Sequence, residues 1–249
     1  MNDDKESFIL FTEREGFDEN QKIMSELYPF SKAAHSLLEL CCYHGAVDCF
    51  KILRSKYNSE ITIICLRFSF LSGNPEIMSE CLKKHKPDQD CMFFAICSHN
   101  IDFVTFLVNE YKLEIDLEQC VKLHNLQAFL VYLDLTNQIN TCFVYSPSFH
   151  IPSLCECFLN NGADINSKEY YGKTALHYAA ESKEIVELLL LHKIDINTKD
   201  MFGRSAFNYA AAKDCKEVIQ ILISNGADEK INGYIRPIAR DFAHHGMNL

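Results

Sequence analysis

Three segments toward the C-terminal end of this sequence are versions of one another, and that self-similarity restricts the fold more than any other feature. Asn160-Asn161-Gly162-Ala163-Asp164-Ile165-Asn166 returns as Leu191-His192-Lys193-Ile194-Asp195-Ile196-Asn197, and again as Ser224-Asn225-Gly226-Ala227-Asp228. Their aspartates lie 31 and 33 residues apart (195−164, 228−195). A second marker, Gly172-Lys173-Thr174-Ala175-Leu176-His177-Tyr178-Ala179-Ala180, returns 31 residues later as Gly203-Arg204-Ser205-Ala206-Phe207-Asn208-Tyr209-Ala210-Ala211. A unit this short cannot bury its own apolar face, so each copy must pack on the next.

The residues inside each copy predict a pair of helices. Thr174 and Ser205 are placed to cap a first helix. The Ala179-Ala180 and Ala210-Ala211 pairs are small enough to let helices approach closely. Ile185, Val186, Leu188 and Leu189, like Val218, Ile219, Ile221 and Leu222, recur at helical spacing. Gly162 and Gly226 then suit left-handed ends of second helices. These motifs closely resemble the ankyrin repeat. The resemblance implies a helix, a turn, an antiparallel helix and a projecting finger loop in each unit, with the His and Thr of the second marker tying one unit to its neighbour. Three departures stand out. Lys193 replaces the cap glycine, at a cost of roughly 1 kcal/mol if the left-handed geometry is kept. The turn after Ala180 is two residues short. Asn208 replaces His177 in the next unit, which predicts a weaker tie there.

A weakened form of the period runs back through the chain. Turn-like points fall at Gly45, Gly73, His99, His124 and His150, separated by 28, 26, 25 and 26 residues. Apolar helix-like stretches flank each of them, Leu37 to Cys42 and Val47 to Leu53 around Gly45 being the first pair. Hairpins of this length leave no room for fingers. Tyr43-His44-Gly45-Ala46-Val47-Asp48-Cys49-Phe50 and Asn100-Ile101-Asp102-Phe103-Val104 resemble the degenerate helical-hairpin domain of unknown function that precedes ankyrin arrays in large protist protein families. The expected organisation is an acidic, partly helical segment over 1–35, degenerate hairpins over 36–138 and ankyrin repeats over 139–249. The last region subdivides into a half-degenerate unit at 139–171, units at 172–202 and 203–232, and a partial cap at 233–249. The fold class expected is all-α, an elongated helical-hairpin solenoid with short finger loops.

Composition excludes several functions. Asp plus Glu is 34 against 24 Lys plus Arg, giving −10, and no basic stripe exists to neutralise phosphates. Nucleic acid is therefore not an expected partner. Eight of the acids fall within residues 1–26, where a solvated segment is expected. No run of about 18 apolar residues is present, so no membrane insertion is expected. The opening Met1-Asn2-Asp3-Asp4-Lys5 does not begin a secretory signal, which makes a cytoplasmic location the expectation. The twelve cysteines include no Cys-x-x-Cys and sit largely among apolar residues, so they read as reduced core fillers, without zinc.

No phosphate-binding loop, Gly-x-Ser-x-Gly elbow or His-Glu-x-x-His pair occurs, and no cofactor or metal is expected. His44, His99, His124 and His150 read as loop residues that satisfy backbone groups. The expected function is non-enzymatic binding of a protein partner. In the ankyrin resemblance the finger tips are Tyr170-Tyr171 and Met201-Phe202, with Tyr234 continuing the row. Tyr178, Glu181, Tyr209 and Lys213 on the first helices are candidates for the concave face. Tyr, Phe and Met are residue types enriched at protein interfaces. The rival readings are a structural spacer with no dedicated ligand and a Cys- or His-dependent enzyme.

Overall fold

The computed structural model describes residues 3–25, 28 and 34–228. Among them are fifteen α-helices and one two-stranded ribbon, β1 (Lys22–Ile23) antiparallel to β2 (His35–Ser36). The chain forms two compact units that divide between Gln119 and Cys120.

In the first unit, α1 (Lys5–Thr12) is followed by the helical pairs α2 (Leu37–His44) and α3 (Val47–Lys56), α4 (Ile63–Ser72) and α5 (Pro75–Leu82), and α6 (Gln89–Cys97) and α7 (Ile101–Tyr111). The apolar faces of α2, α4 and α6 bury one another, with Phe68 edge-on to Phe94 at 5.6 Å and Cys41, Cys42, Cys65 and Cys91 filling the narrow spaces. The acids of the head are largely exposed, while its helix docks on the first unit. Asp3 accepts hydrogen bonds from the Asp48 and Cys49 N–H groups at 3.0–3.1 Å, which caps α3 from outside its own segment. Phe8 is buried, and Phe11, Phe17 and Tyr57 form a chain of ring contacts that holds α1 down.

The second unit holds α9 (Leu126–Thr136), α10 (Ile139–Tyr145), a 3-10 turn (Ser146–Phe149), α11 (Pro152–Asn160), α12 (Ala175–Tyr178), α13 (Lys183–Leu191), α14 (Ala206–Ala212) and α15 (Lys216–Ser224). The helix α8 (Leu117–Lys122) lies at the division. That division falls before the boundary expected at 138/139. Phe129 of α9 is fully buried against Phe149 and Phe158, 4.9 and 6.3 Å away, so α9 shares the core of the repeats that follow it.

Every turn point marked in the sequence is left-handed: Gly45, Gly73, His99, His124 and His150 have φ between 50° and 71°. The three histidines among these last positions are exposed, and their rings bond no backbone group among the described residues. Backbone conformation explains them, since His tolerates positive φ better than most residues. Asp214, with φ 53°, holds the same place between α14 and α15. The shortened turn between α12 and α13 has no left-handed residue, and there the first helix contracts to four residues against the seven of α14.

Hydrogen bonds join neighbouring repeats at the turns that follow the second helices. Asn140 Oδ1 accepts from Asp164 N–H, Asn166 Oδ1 from Asp195 N–H and Asn197 Oδ1 from Asp228 N–H, at 2.8–2.9 Å. The Asp carboxylate of a turn accepts in turn from the N–H of its own Asn two residues on, at 3.0 Å for Asp164 and 3.1 Å for Asp195. His177 adds a second tie. Its Nδ1 accepts from Thr174 N–H at 3.0 Å, which leaves Nε2–H to donate to the Arg204 carbonyl of the next repeat at 3.0 Å. In the following unit Asn208 Oδ1 takes the Ser205 N–H at 3.0 Å, but its buried Nδ2 has no partner among the described residues.

Lys193 has φ 62°, so the substituted cap does retain left-handed geometry. Lys193→Gly should stabilise the fold by up to about 1 kcal/mol in urea titrations; a destabilised variant would show that the lysine side chain contributes more than its backbone costs. Burial pushes the His177 pKa from 6.5 down to about 4. The unfolded chain therefore binds more protons between those values, and the stability from neutral His177 is complete above about pH 6.5 and is lost as pH falls toward 4. His177→Asn should cost stability at pH 7, and the gap to the parent should shrink by up to about 3 kcal/mol by pH 4. A pH-independent gap in paired melts would contradict this.

All twelve cysteines are free thiols, and Cys157 alone among them is exposed. Burial pushes the Cys97 pKa to about 11 and those of Cys91 and Cys142 to about 12. A thiol reagent should modify Cys157 first, Cys97 and Cys215 slowly, and the nine buried cysteines only after denaturant is added. Rapid native labelling of several buried positions, read by peptide mass spectrometry, would refute it.

Candidate protein-binding surface

The two described fingers are built alike. Glu169 and Asp200 each open a tight turn, in which Glu169 N–H donates to Lys173 O at 3.0 Å and Asp200 N–H to Arg204 O at 2.8 Å. Both acids are buried and accept from their own loop. Glu169 takes the Tyr171 and Lys173 N–H groups at 2.8 and 2.9 Å. Asp200 takes those of Phe202 and Arg204 at 2.9 and 2.8 Å. Asp200 also receives Arg204 Nε at 2.9 Å and the Tyr209 hydroxyl at 2.7 Å. Burial alone would raise the Asp200 pKa; the bonds from Arg204 and Tyr209 outweigh it and hold the carboxyl below its usual range.

Gly172 has φ 78°, and a Cβ there would lie 3.3 Å from Met201 N, so the finger-to-finger approach needs glycine on both counts. The same approach lets Met201 N–H donate to Tyr171 O at 2.8 Å. The tips are thus tied to one another as well as braced from within.

What projects from this frame is apolar. Tyr170 is 87% exposed, Met201 62% and Phe202 58%. Tyr171 is half-buried, with its ring edge-on to Tyr170 at 5.1 Å. The Arg204 guanidinium lies over the Phe202 ring at 4.7 Å and over Tyr209 at 4.9 Å. Such cation–π contacts fix ring orientation.

The first-helix candidates divide. Glu181 and Lys213 are exposed and form an ion pair from one repeat to the next. Tyr178 is half-buried, 5.0 Å from the Tyr145 ring and beneath Lys173 Nζ at 5.3 Å. Tyr209 corrects the sequence expectation. It is only 7% exposed, edge-on to His177 at 5.5 Å with its hydroxyl on Asp200. It is therefore a packing residue that supports the second finger. Its polar end signalled nothing in the sequence, because the partner Asp200 comes from a different element. Tyr234 lies outside the described residues.

Among the described residues, no three His, Cys, Asp or Glu side chains are grouped so as to hold a metal ion. No helix there is long and apolar enough to cross a membrane.

Residues 145–232 match the family described as ankyrin repeats (3 copies), and residues 57–132 match a domain of unknown function, DUF3447. Among solved structures, the ankyrin repeat domain of human ASB11 superposes with a TM-score of 0.54 at 20% identity, covering 79% of this chain and 100% of that one. That likeness concerns the fold. No curated protein matches in sequence. The internal period, the finger geometry and these matches agree: the chain carries ankyrin repeats over residues 145–232, with a DUF3447 domain ahead of them over 57–132.

Proposed function

We propose that the chain is a non-enzymatic binding module that holds a protein partner at the finger edge of residues 168–204. Ankyrin repeats are protein–protein interaction modules. The observation that carries the reading is the exposure of Tyr170, Met201 and Phe202 on loops braced by their own hydrogen bonds. An exposed aromatic on a braced loop loses little conformational freedom when a partner covers it. The folded chain gains little from leaving it in water. Tyr171 adds a ring edge beside Tyr170. Tyr178 and the Glu181–Lys213 pair extend the contact area onto the first helices.

Crosslinking and capture with the intact chain would supply partners, and two double variants then test the site. At least one of Tyr170→Ala/Tyr171→Ala and Met201→Ala/Phe202→Ala should weaken capture by about 2 kcal/mol, while stability stays within roughly 1 kcal/mol. Full capture by both variants would remove the fingers from the site and leave Tyr178, Glu181 and Lys213 to be tested. A heavy loss of thermal stability in both would mean that these side chains serve folding.

A further inference from the structure

The finger edge carries a charge opposite to that of the whole chain. Each loop has two cations and one acid in the same order, Lys168-Glu169-Tyr170-Tyr171-Gly172-Lys173 and Lys199-Asp200-Met201-Phe202-Gly203-Arg204. The acids face inward and are saturated by their own loops, as described above. Asp164 and Asp195, farther off at the loop entrances, are exposed but held to their own backbone: Asp164 Oδ1 accepts from Asn166 N–H, Asp195 Oδ1 from Asn197 N–H and Asp195 Oδ2 from the Thr198 hydroxyl. Lys168 and Lys199 are exposed one residue before the buried acids, next to the projecting Tyr170 and Met201. The tips of the two fingers are therefore apolar, with an exposed lysine, Lys168 or Lys199, close beside each.

We infer that the finger edge takes an acidic segment of its protein partner, with aromatic or aliphatic anchors flanked by Asp or Glu. This rests on the fingers being the binding edge. The anchors cover Tyr170, Met201 and Phe202, and the flanking carboxylates meet Lys168 and Lys199. The chain's net charge of −10 does not oppose this at contact distance. At physiological ionic strength charges are screened over about 8 Å, so the local pair of lysines decides the sign that a docked segment meets. The surrounding apolar contacts exclude water and strengthen the attraction at the rim.

The test selects a random 12-residue display library on the full chain, then measures enriched synthetic peptides by fluorescence anisotropy. The expected peptides combine Phe, Tyr, Leu or Met with Asp or Glu. Their affinity should fall with added salt and drop at least tenfold in Lys168→Glu/Lys199→Glu, with unchanged thermal midpoint. It should also drop in Met201→Ala/Phe202→Ala. Peptides that lose affinity in the alanine variant but carry no acids and ignore the lysine reversal would overturn the acidic partner and leave the finger reading standing. Peptides that ignore both variants would overturn both. Equal binding of an all-acidic peptide without anchors would reduce the edge to a nonspecific anion patch and overturn the proposal, as would a library with no enriched sequence.

Discussion

The position of each repeat on the next depends on a short ladder of amide oxygens. Asn140, Asn166 and Asn197 each hold the backbone N–H of the following turn's Asp. Apolar burial supplies most of the attraction between repeats, but it is non-directional. A hydrogen bond from one turn to the next sets register, because a shift of even one residue would break it. His177 sets the same register from the other side through the Arg204 carbonyl. With both ties in place, the fingers fall close enough for Met201 N–H to reach Tyr171 O.

That register gives the finger edge its chemistry. Each finger buries one carboxylate and saturates it with its own N–H groups, which removes negative charge from the surface and stiffens the loop together. Tyr209 shows how far the support extends, since a first-helix side chain completes the hydrogen bonding of Asp200 in the finger. Arg204 then bridges the buried carboxylate and the exposed Phe202 ring, so inner polar shell and outer apolar surface share one side chain.

Much of this was legible in the sequence, for local reasons. Gly45, Gly73, His99, His124 and His150 marked turns, which the structure makes left-handed, because backbone geometry is dictated by the residue itself and its neighbours. The left-handed cap at Lys193 followed from alignment with Gly162 and Gly226. Tertiary placement was harder to see. Tyr178 and Tyr209 occupy equivalent positions in the repeat, yet Tyr178 is half-buried and Tyr209 buried, so repeat position alone did not separate surface from support. The docking of Asp3 on α3 joins residues 45 apart with no periodic signal. The position of α9 in the second unit depends on Phe129 meeting Phe149 and Phe158, which helical spacing does not encode.

The contraction of α12 gives the two finger-bearing repeats different topography. Near-identical fingers stand above first helices of four and seven residues, and three fewer residues shorten the helix by about 4.5 Å. The two repeats therefore differ beneath their fingers as well as at the tips, where Tyr170-Tyr171 faces Met201-Phe202. A turn shorter by two residues thus makes two repeats of one design unequal, and gives the pair a direction along the chain.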